Sequence, residues 1–500
     1  MESFQHLIAG FGSAISLVNL LYATFGVFVG QIIGVLPGLG PITGLSLLVP
    51  LVFGMEPTSA LIMLCGVYYG SFFGGAITSI LLNTPGDAAA VVTTFDGYPM
   101  ARQGQAGRAL GIAALSSFIG GTISVLGLTF VMPIMSKAAL LFGPAEYTML
   151  IIMAFLAVLT FSSTSKTKAV ISALIGLVIA TVGQDQISGQ PRFTFGIFEL
   201  FNGFDFALVA IGLFAVGEVL LRVEEIHHEG EQKAAKFTRA FVTIEDTKRI
   251  AKPTFVSSVL GFVVGILPGA GATIAAFMSY GLVKSISKNK DEFGKGAPEG
   301  IAAPESANNA SVGGAMVPML ALGVPGSGST AVLLGAMMVL GLNPGPLFMT
   351  ESPGVAWGVI ASMYIGNVIL LIMNIPMIRL FASVLYLPYS YIALGVLVLS
   401  FVGAYSIQNS MFDVYLMLGA GLVGYLMKKN DFPLAPLILT LVLGGLLEGN
   451  FRKSLLTSDG SYGIFFGSVT ALLIWGLILL ALLTPTLLKG KQSMLKKPGA

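Results

Sequence analysis

Charge is what this chain has least of. Only 10% of its 500 residues are Asp, Glu, Lys or Arg, while 55% are hydrophobic; a soluble globular protein carries about a quarter charged residues, so that class is excluded. Alternating apolar and polar stretches are missing, which excludes a membrane β-barrel. A net charge of +2 and the lack of a basic patch with interleaved aromatics exclude a nucleic-acid binder. Cysteine is nearly absent, since Cys65 stands alone in an apolar run with no disulfide partner. The three histidines are His6, His227 and His228, none of them in an apolar run. A membrane-embedded serine mechanism therefore has no imidazole, and the adjacent pair lacks the further Cys or His of a metal site. Around Gly294-Lys295-Gly296 the spacing is not that of a phosphate-binding loop, which argues against an ATP-driven pump. Met1 to His6 lacks the positive start of a signal peptide, so the first apolar run is expected to be retained.

What is present is a long series of apolar runs near the ~20 residues that cross a bilayer. They predict an all-α polytopic membrane protein with roughly 10–14 passages, some of them half-crossings. In the first membrane half, 1–221, runs are expected near 12–36, 42–54, 58–82, 109–135, 144–161, 168–183 and 204–221. Asp96-Gly97-Tyr98-Pro99 reads as a plain turn, and Gln184 to Phe195 as a polar surface loop. Residues 222–253 hold seven basic and six acidic residues, which marks a hydrophilic linker with an interfacial helix near Ile244 to Ala251. The second half, 254–488, has runs near 254–266, 272–286, 310–322, 330–342, 355–378, 391–404, 412–427, 434–447 and 464–488, and a basic tail, 489–500, closes the chain.

Two motifs interrupt these runs. Gly34-Val-Leu-Pro-Gly-Leu-Gly40 returns 231 positions later as Gly265-Ile-Leu-Pro-Gly-Ala-Gly271. Pro37 and Pro268 lack a backbone N–H and the flanking glycines remove steric restraint, so each run should break inside the membrane. Broken backbone at that depth survives only where it is buried in protein or lines a watery cavity. A second pair follows in the same order: Asn83-Thr84-Pro85-Gly86-Asp87, and Gly323-Val324-Pro325-Gly326-Ser327-Gly328-Ser329-Thr330, each with Gly-Gly-Ala just upstream (Gly74 to Ala76, Gly313 to Ala315). The shared order points to two related halves.

Basic residues are placed unevenly. None occurs from Met1 to Ala101 or from Gly296 to Ile378, whereas they crowd the linker, Lys284 to Lys295, Lys428-Lys429 and the tail. The positive-inside rule puts the basic segments in the cytoplasm. The uncharged flank precedes the second break in the first half and follows it in the second, so the halves are expected to be inverted relative to each other, with a site at their interface.

Gly34-Val-Leu-Pro-Gly-Leu-Gly-Pro41, Leu82-Asn-Thr-Pro-Gly-Asp87, Gly265-Ile-Leu-Pro-Gly-Ala-Gly271, Pro304-Glu-Ser-Ala-Asn-Asn309 and Gly323-Val-Pro-Gly-Ser327 closely resemble the large membrane subunit of the tripartite tricarboxylate transporters, the TctA family. The resemblance spans nearly the whole chain. It implies an uptake system of the bacterial inner membrane, in which this subunit works with a small four-helix membrane subunit and a periplasmic solute-binding protein that delivers an organic acid. Transport would be driven by a Na+ or H+ gradient, with no cofactor. A homodimer is a further expectation.

A carboxylate needs hydrogen-bond donors, and neither motif region holds an Arg or Lys. Opened helix N-termini supply N–H groups and the positive dipole end. The expected substrate-binding set is Pro37, Gly38, Gly40, Thr43, Asn83, Thr84, Pro85, Gly86, Asp87, Pro268, Gly269, Gly271, Thr273, Asn308, Asn309, Pro325, Gly326, Ser327, Ser329 and Thr330. Co-transported cations such as Na+ are expected at backbone carbonyls near Gly34, Gly38, Gly265 and Gly269. Asp87 reads either as a functional intramembrane acid or as the cap of a helix after Gly86. Glu305 reads either as a proton or cation ligand or as a residue at the interface near the lysine-rich connection. Two other classes remain open. An intramembrane protease would need a second acid, and Ser327 stands at the comparable break. An anion channel also uses broken helices, and counterflow separates it from a carrier.

Overall fold

The computed structural model describes residues 2–161, 165–185, 187–225, 240–384 and 387–479. His227, His228, the middle of the hydrophilic linker (226–239) and the C-terminal tail lie outside the described residues. Nine helices among those described are long and apolar enough to cross a membrane. The chain is an all-α multi-pass membrane protein, with one two-residue antiparallel ribbon among the described residues, β1 (Gly183–Gln184) and β2 (Pro191–Arg192), inside the expected polar loop.

The first half runs α1 (Glu2–Ala14), α2 (Leu17–Val35), α3 (Gly40–Leu48), α4 (Pro57–Leu82), α5 (Val91–Met100), α6 (Ala106–Ala139), α7 (Pro144–Phe161), α8 (Lys166–Ala180), α9 (Phe206–Ala210) and α10 (Gly217–Glu225). The run expected from 12 to 36 is cut at Ser16, whose hydroxyl caps α2 at the Asn19 N–H. The turn expected at Asp96 to Pro99 is helical: these residues are the last turns of α5, with Pro99 inside the helix. A π turn over Ala101–Gln105, with Gly104 at φ 81°, joins α5 to α6.

The second half contains α11 (Ile244–Ile266), α12 (Gly271–Ile286), α13 (Pro298–Leu322), α14 (Gly328–Val339), α15 (Phe348–Glu351), α16 (Pro353–Ser383), α17 (Tyr389–Gln408), α18 (Met411–Lys429) and α19 (Leu434–Thr457). The helix expected near Ile244 to Ala251 is the opening of α11, which continues through Pro253. A capping box closes its start, Thr243 and Asp246 each bonding the other's backbone N–H. The run expected from 310 starts instead at Pro298, so Pro304-Glu-Ser-Ala-Asn-Asn309 lies within α13, where every residue through Ala321 is buried.

Matching glycines hold matching helix pairs together. A Cβ on Gly30 or Gly34 would lie 2.6 and 2.0 Å from the carbonyl oxygens of Val67 and Ser71 on α4. On Gly261 or Gly265 it would lie 2.3 and 2.4 Å from those of Ala307 and Ser311 on α13. Gly74 meets the Gln31 carbonyl and Gly314 the Phe262 carbonyl, each at 2.3 Å. Such backbone contact is possible only without side chains, and in a bilayer it replaces hydrophobic drive with close packing. Helices α4 and α13 then end alike, on Asn83 at φ 59° and Gly323 at φ 68°, the left-handed cap that frees the chain to turn.

Candidate functional site

Both first breaks adopt one geometry. Leu36 and Leu267 are extended, at φ/ψ of −82°/114° and −75°/116°, and their N–H groups bond the carbonyls of Ile33 and Val264. Gly38 and Gly269 follow at φ 85° and 80°, and Gly40 and Gly271 at 57° and 63°, conformations a side chain resists. Each first break is tied to the second break of its own half: the Gly38 N–H donates to the Gly86 carbonyl at 3.2 Å and the Gly269 N–H to the Gly326 carbonyl at 2.9 Å. The carbonyl oxygens of Gly34 and Gly265 face Gly86 and Gly326, 2.1 and 3.1 Å from where a Cβ would stand.

Each half then crosses into the other. Gly328, opening α14, sits against Ile42 of α3, with 2.7 Å between Ile42 Cδ1 and the position of an added Cβ. The Tyr68 hydroxyl on α4 lies 3.3 Å from Ser327 Oγ. In the opposite crossing Phe95 of α5 stacks edge-on against Phe277 and Tyr280 of α12, at 6.2 and 5.6 Å between centroids.

Side chains at the second breaks hold the backbone that leads into the next helix: Ser327 caps α14, while Asp87 closes the turn before α5. Asp87 Oδ1 accepts from the N–H groups of Ala89 (2.6 Å) and Ala90 (3.0 Å). Its Oδ2 is shielded from solvent and has no hydrogen-bond partner among the described residues. Ser327 Oγ accepts from the Thr330 N–H at 3.3 Å, and Thr330 Oγ1 returns the bond to the Ser327 N–H at 2.8 Å. Aspartate and serine occupy corresponding positions, so one crossing carries a charge where the other carries a dipole.

The remaining expected residues are distributed as follows. Thr43 is buried and donates to the Phe214 carbonyl (3.4 Å). Thr84, Pro85, Pro37 and Thr273 are partly buried, and Asn83 is exposed. Asn308, Asn309, Pro325, Ser329 and Thr330 are buried. Asn309 Nδ2 donates to the Glu305 carbonyl (2.9 Å) and to Asn308 Oδ1 (2.6 Å). The two first breaks have different surroundings: Gly38 lies against Glu218 and Arg222 of α10, Gly269 against Ala157 and Val158 of α7.

Four features escaped the sequence reading. Arg222, assigned to the linker, brings its guanidinium beside Gly38, so the fold supplies a cation that the motif lacks. Asp96 is fully buried: Oδ1 accepts from the N–H groups of Gly294 (2.8 Å), Gly296 (2.9 Å) and Ala297 (2.8 Å), and Oδ2 from the Tyr280 hydroxyl (2.9 Å). It clamps α5 to the connection before α13. Glu305, read either as a proton or cation ligand or as an interface residue, is fully buried, with Oε1 bonded by Thr93 of α5 and Oε2 by Ser117 of α6 (3.0 Å).

The fourth feature is a cavity of about 270 Å³ lined by Gln184, Arg192, Asn202, Glu448 and Arg452. Arg192 grips Glu448 through both guanidinium branches (2.8 and 3.0 Å), and Arg452 joins Glu448 (3.0 Å) to Asp185. The Ser188 N–H and Arg452 hold the Asp185 carboxyl well below the usual carboxylate range. Lys168 at the start of α8 donates to the Asn430 carbonyl beside the start of α19 (2.7 Å), so the cavity sits at the opposite ends of both helices. Arg192 in the loop after α8 was its legible signal.

Comparison with known proteins follows the same lines. The family described as "Tripartite tricarboxylate transporter TctA family" matches residues 20–439. An "Uncharacterized 52.8 kDa protein in TAR-I ttuC' 3'region" of Agrobacterium vitis is 40% identical over 465 residues, 93% of this chain and 92% of that one. An "Uncharacterized protein in TAR-II ttuC' 3'region" of the same organism is 41% identical over 227 residues, 45% of this chain and 94% of its own. An uncharacterized protein of Methanocaldococcus jannaschii is 27% identical over 270 residues, 53% of this chain and 62% of its own. No solved structure matches.

Proposed function

Because this chain belongs to the tripartite tricarboxylate transporter TctA family, we propose that it is the large membrane subunit of a secondary transporter of the bacterial inner membrane. It imports a tricarboxylate or related organic acid, delivered by a periplasmic solute-binding protein, alongside a small four-helix membrane subunit, and a Na+ or H+ gradient drives it. Two copies of the chain assemble. The halves run in opposite senses through the bilayer, and their two crossings form the path of the solute.

The observation that carries this reading is the reciprocal crossing: α14 lies on α3 and α5 on α12, each beginning just past a break. Elements of this kind bring free N–H groups and hydroxyls to the interface between repeats, where transporters bind anions. The substrate's carboxylates are assigned to the donors around Gly38, Thr43, Ser327, Ser329 and Thr330, with Arg222 beside them; in a Na+-driven cycle the cation would sit at the carbonyls of Gly34 and Gly265. The arginines at the opposite end, Arg192 and Arg452, suit a vestibule that receives the anion from the binding protein.

Counterflow in proteoliposomes holding the large and small subunits tests the reading. Internal unlabelled tricarboxylate should drive transient accumulation of labelled tricarboxylate. Flux that only relaxes to equilibrium identifies an anion channel, and no carboxylate flux at all removes the assignment.

A further inference from the structure

Glu305 lies about 10 Å along α13 from its first residue, at a 1.5 Å rise per residue, and it is fully buried. Three helices meet there. Thr93 reaches it from α5 and Ser117 from α6, while Asn308, one turn on in α13, lies beside the same carboxyl with its Nδ2 at hydrogen-bond geometry to no group among those described.

No lysine or arginine among the described residues forms an ion pair with Glu305. The charged group that acts on it is Asp87, another acid. On the helices around it, Asp96 is closed by its four donors, Arg108 pairs with Asp246, and Arg249 pairs with Glu292 and Glu299. Glu245, Lys137, Lys248, Lys252, Lys284 and Glu351 are exposed, and α4 brings Cys65, Tyr68 and Tyr69. An uncompensated carboxylate in such an interior is strongly unfavourable, and it is relieved by a proton or a bound cation.

Local geometry decides between the two. Each carboxyl oxygen is already at hydrogen-bond distance from one hydroxyl, and no group of three acids, cysteines or histidines fit to hold a metal occurs among the described residues. A neutral carboxyl suits the site, since it donates to one hydroxyl and accepts from the other. A void of about 10 Å³ between α4, α6 and α16 is lined by Ser117 and by Asn374, close to the lower limit for one water molecule. Asn374 is 4% exposed and its Oδ1 has no partner, so a polar occupant of the void would satisfy it.

We propose that Glu305, held between Thr93 and Ser117 and reached through the Ser117–Asn374 void, is the site that carries one proton per transport cycle. The inference rests on the transporter reading above and names its coupling ion. Proton uptake neutralises Glu305 and release restores the anion, with no other bond made or broken. Thr93 lies six residues past Asp87 on the element that leaves the break, so the charge of Glu305 and the position of α5 are linked. The equivalent position on α4, 240 residues earlier, is Cys65, which places the proton site in one crossing alone.

Two measurements on the full-length chain test this. Infrared difference spectra against pH should show a protonated-carboxyl band that Glu305→Gln removes and Thr93→Val moves to a different pH midpoint; a band unchanged in both variants overturns the proposal. In proteoliposomes with the small subunit, a one-unit pH gradient coupled to one proton supports about tenfold accumulation. Glu305→Gln should abolish that accumulation while counterflow stays within about twofold of the parent, a change worth under 0.5 kcal/mol. Accumulation that follows a sodium gradient and ignores pH overturns it as well. A titrating Glu305 band in a protein that moves no carboxylate would instead keep the proton site and remove the transport reading.

Discussion

The two crossings share a backbone and differ in chemistry. Gly38 bonds Gly86 as Gly269 bonds Gly326, yet the side chain that follows the second break is Asp87 in one and Ser327 in the other, and the buried position on the long helix is Glu305 in one and Cys65 in the other. Charge therefore gathers where α5 meets α12: Asp87, Asp96 and Glu305 all serve that crossing. Where α3 meets α14 the side chains of α3, α4 and α14 are the dipoles Thr43, Tyr68, Ser327 and Thr330, with the Glu218–Arg222 ion pair beside Gly38. A pair of breaks conserved in geometry but not in side chain suggests divided labour, with ion handling at one crossing and solute handling at the other.

The largest effect should come from the glycines that make the two halves alike. Gly34→Ala drives a methyl into the Ser71 carbonyl and Gly265→Ala into that of Ser311, contacts relieved only by parting two helices. Each should cost about 3 kcal/mol or more, the upper end of overpacking, and appear as a lower unfolding temperature or loss of monodisperse protein in detergent. Sensitivity in only one half would break the structural equivalence.

Next in size is the Asp96 clamp. Asp96→Ala leaves three backbone N–H groups and the Tyr280 hydroxyl without their shared acceptor; hydrogen bonds to a charged group contribute about 1.5–3 kcal/mol each, and water recovers part of that at this end of the helix. Faster proteolysis of the connection between α12 and α13, with that between α3 and α4 unchanged, is the expected readout. Asp96→Asn, which keeps an acceptor oxygen, should lie in between.

Much of this comparison was legible before any coordinates. Pro37-Gly38 and Pro268-Gly269 announced breaks because a missing N–H and a left-handed φ are properties of the residues themselves. Asp96 was not legible, because Asp-Gly-Tyr-Pro has the composition of a turn and its backbone donors stand 198, 200 and 201 positions away. The surroundings of Glu305, which the sequence left as a proton or cation ligand or an interface residue, were hidden for the same reason, since its hydroxyls come from 212 and 188 positions earlier. The start of α13 at Pro298, twelve residues before the run expected from 310, was hidden by the polar Glu-Ser-Ala-Asn-Asn stretch, whereas the buried helix holds that stretch together with Pro304 and Pro318. Local rules found the hinges, whereas long-range pairing decided what each hinge holds.

Exchanging Asp87 and Ser327 sharpens the division of labour. A serine hydroxyl can accept from the turn N–H groups that Asp87 holds, so Asp87→Ser should keep the fold and remove the acid whose charge acts on Glu305. Gradient-driven accumulation should fall while counterflow continues. Ser327→Asp should do the reverse: it places a negative charge beside Tyr68 where the substrate's carboxylates are assigned, and should raise the concentration needed for half-maximal counterflow. If both variants change the same parameter, the two crossings are not specialised.

The smallest expected difference lies at a pair of glycines with matching strain and different neighbours. Gly40 and Gly271 have φ of 57° and 63°, and an alanine at either carries the left-handed penalty of about 1–2 kcal/mol. Around Gly271 an added Cβ meets open space, whereas at Gly40 it comes 3.5 Å from Asp87 Cβ. Gly271→Ala and Gly40→Ala should therefore lower the unfolding temperature by similar amounts, and only Gly40→Ala should also shift the pH dependence of accumulation. A shift of equal size from Gly271→Ala would mean that the ion-linked behaviour belongs to both crossings, because the backbone strain is shared and the neighbouring acid is not.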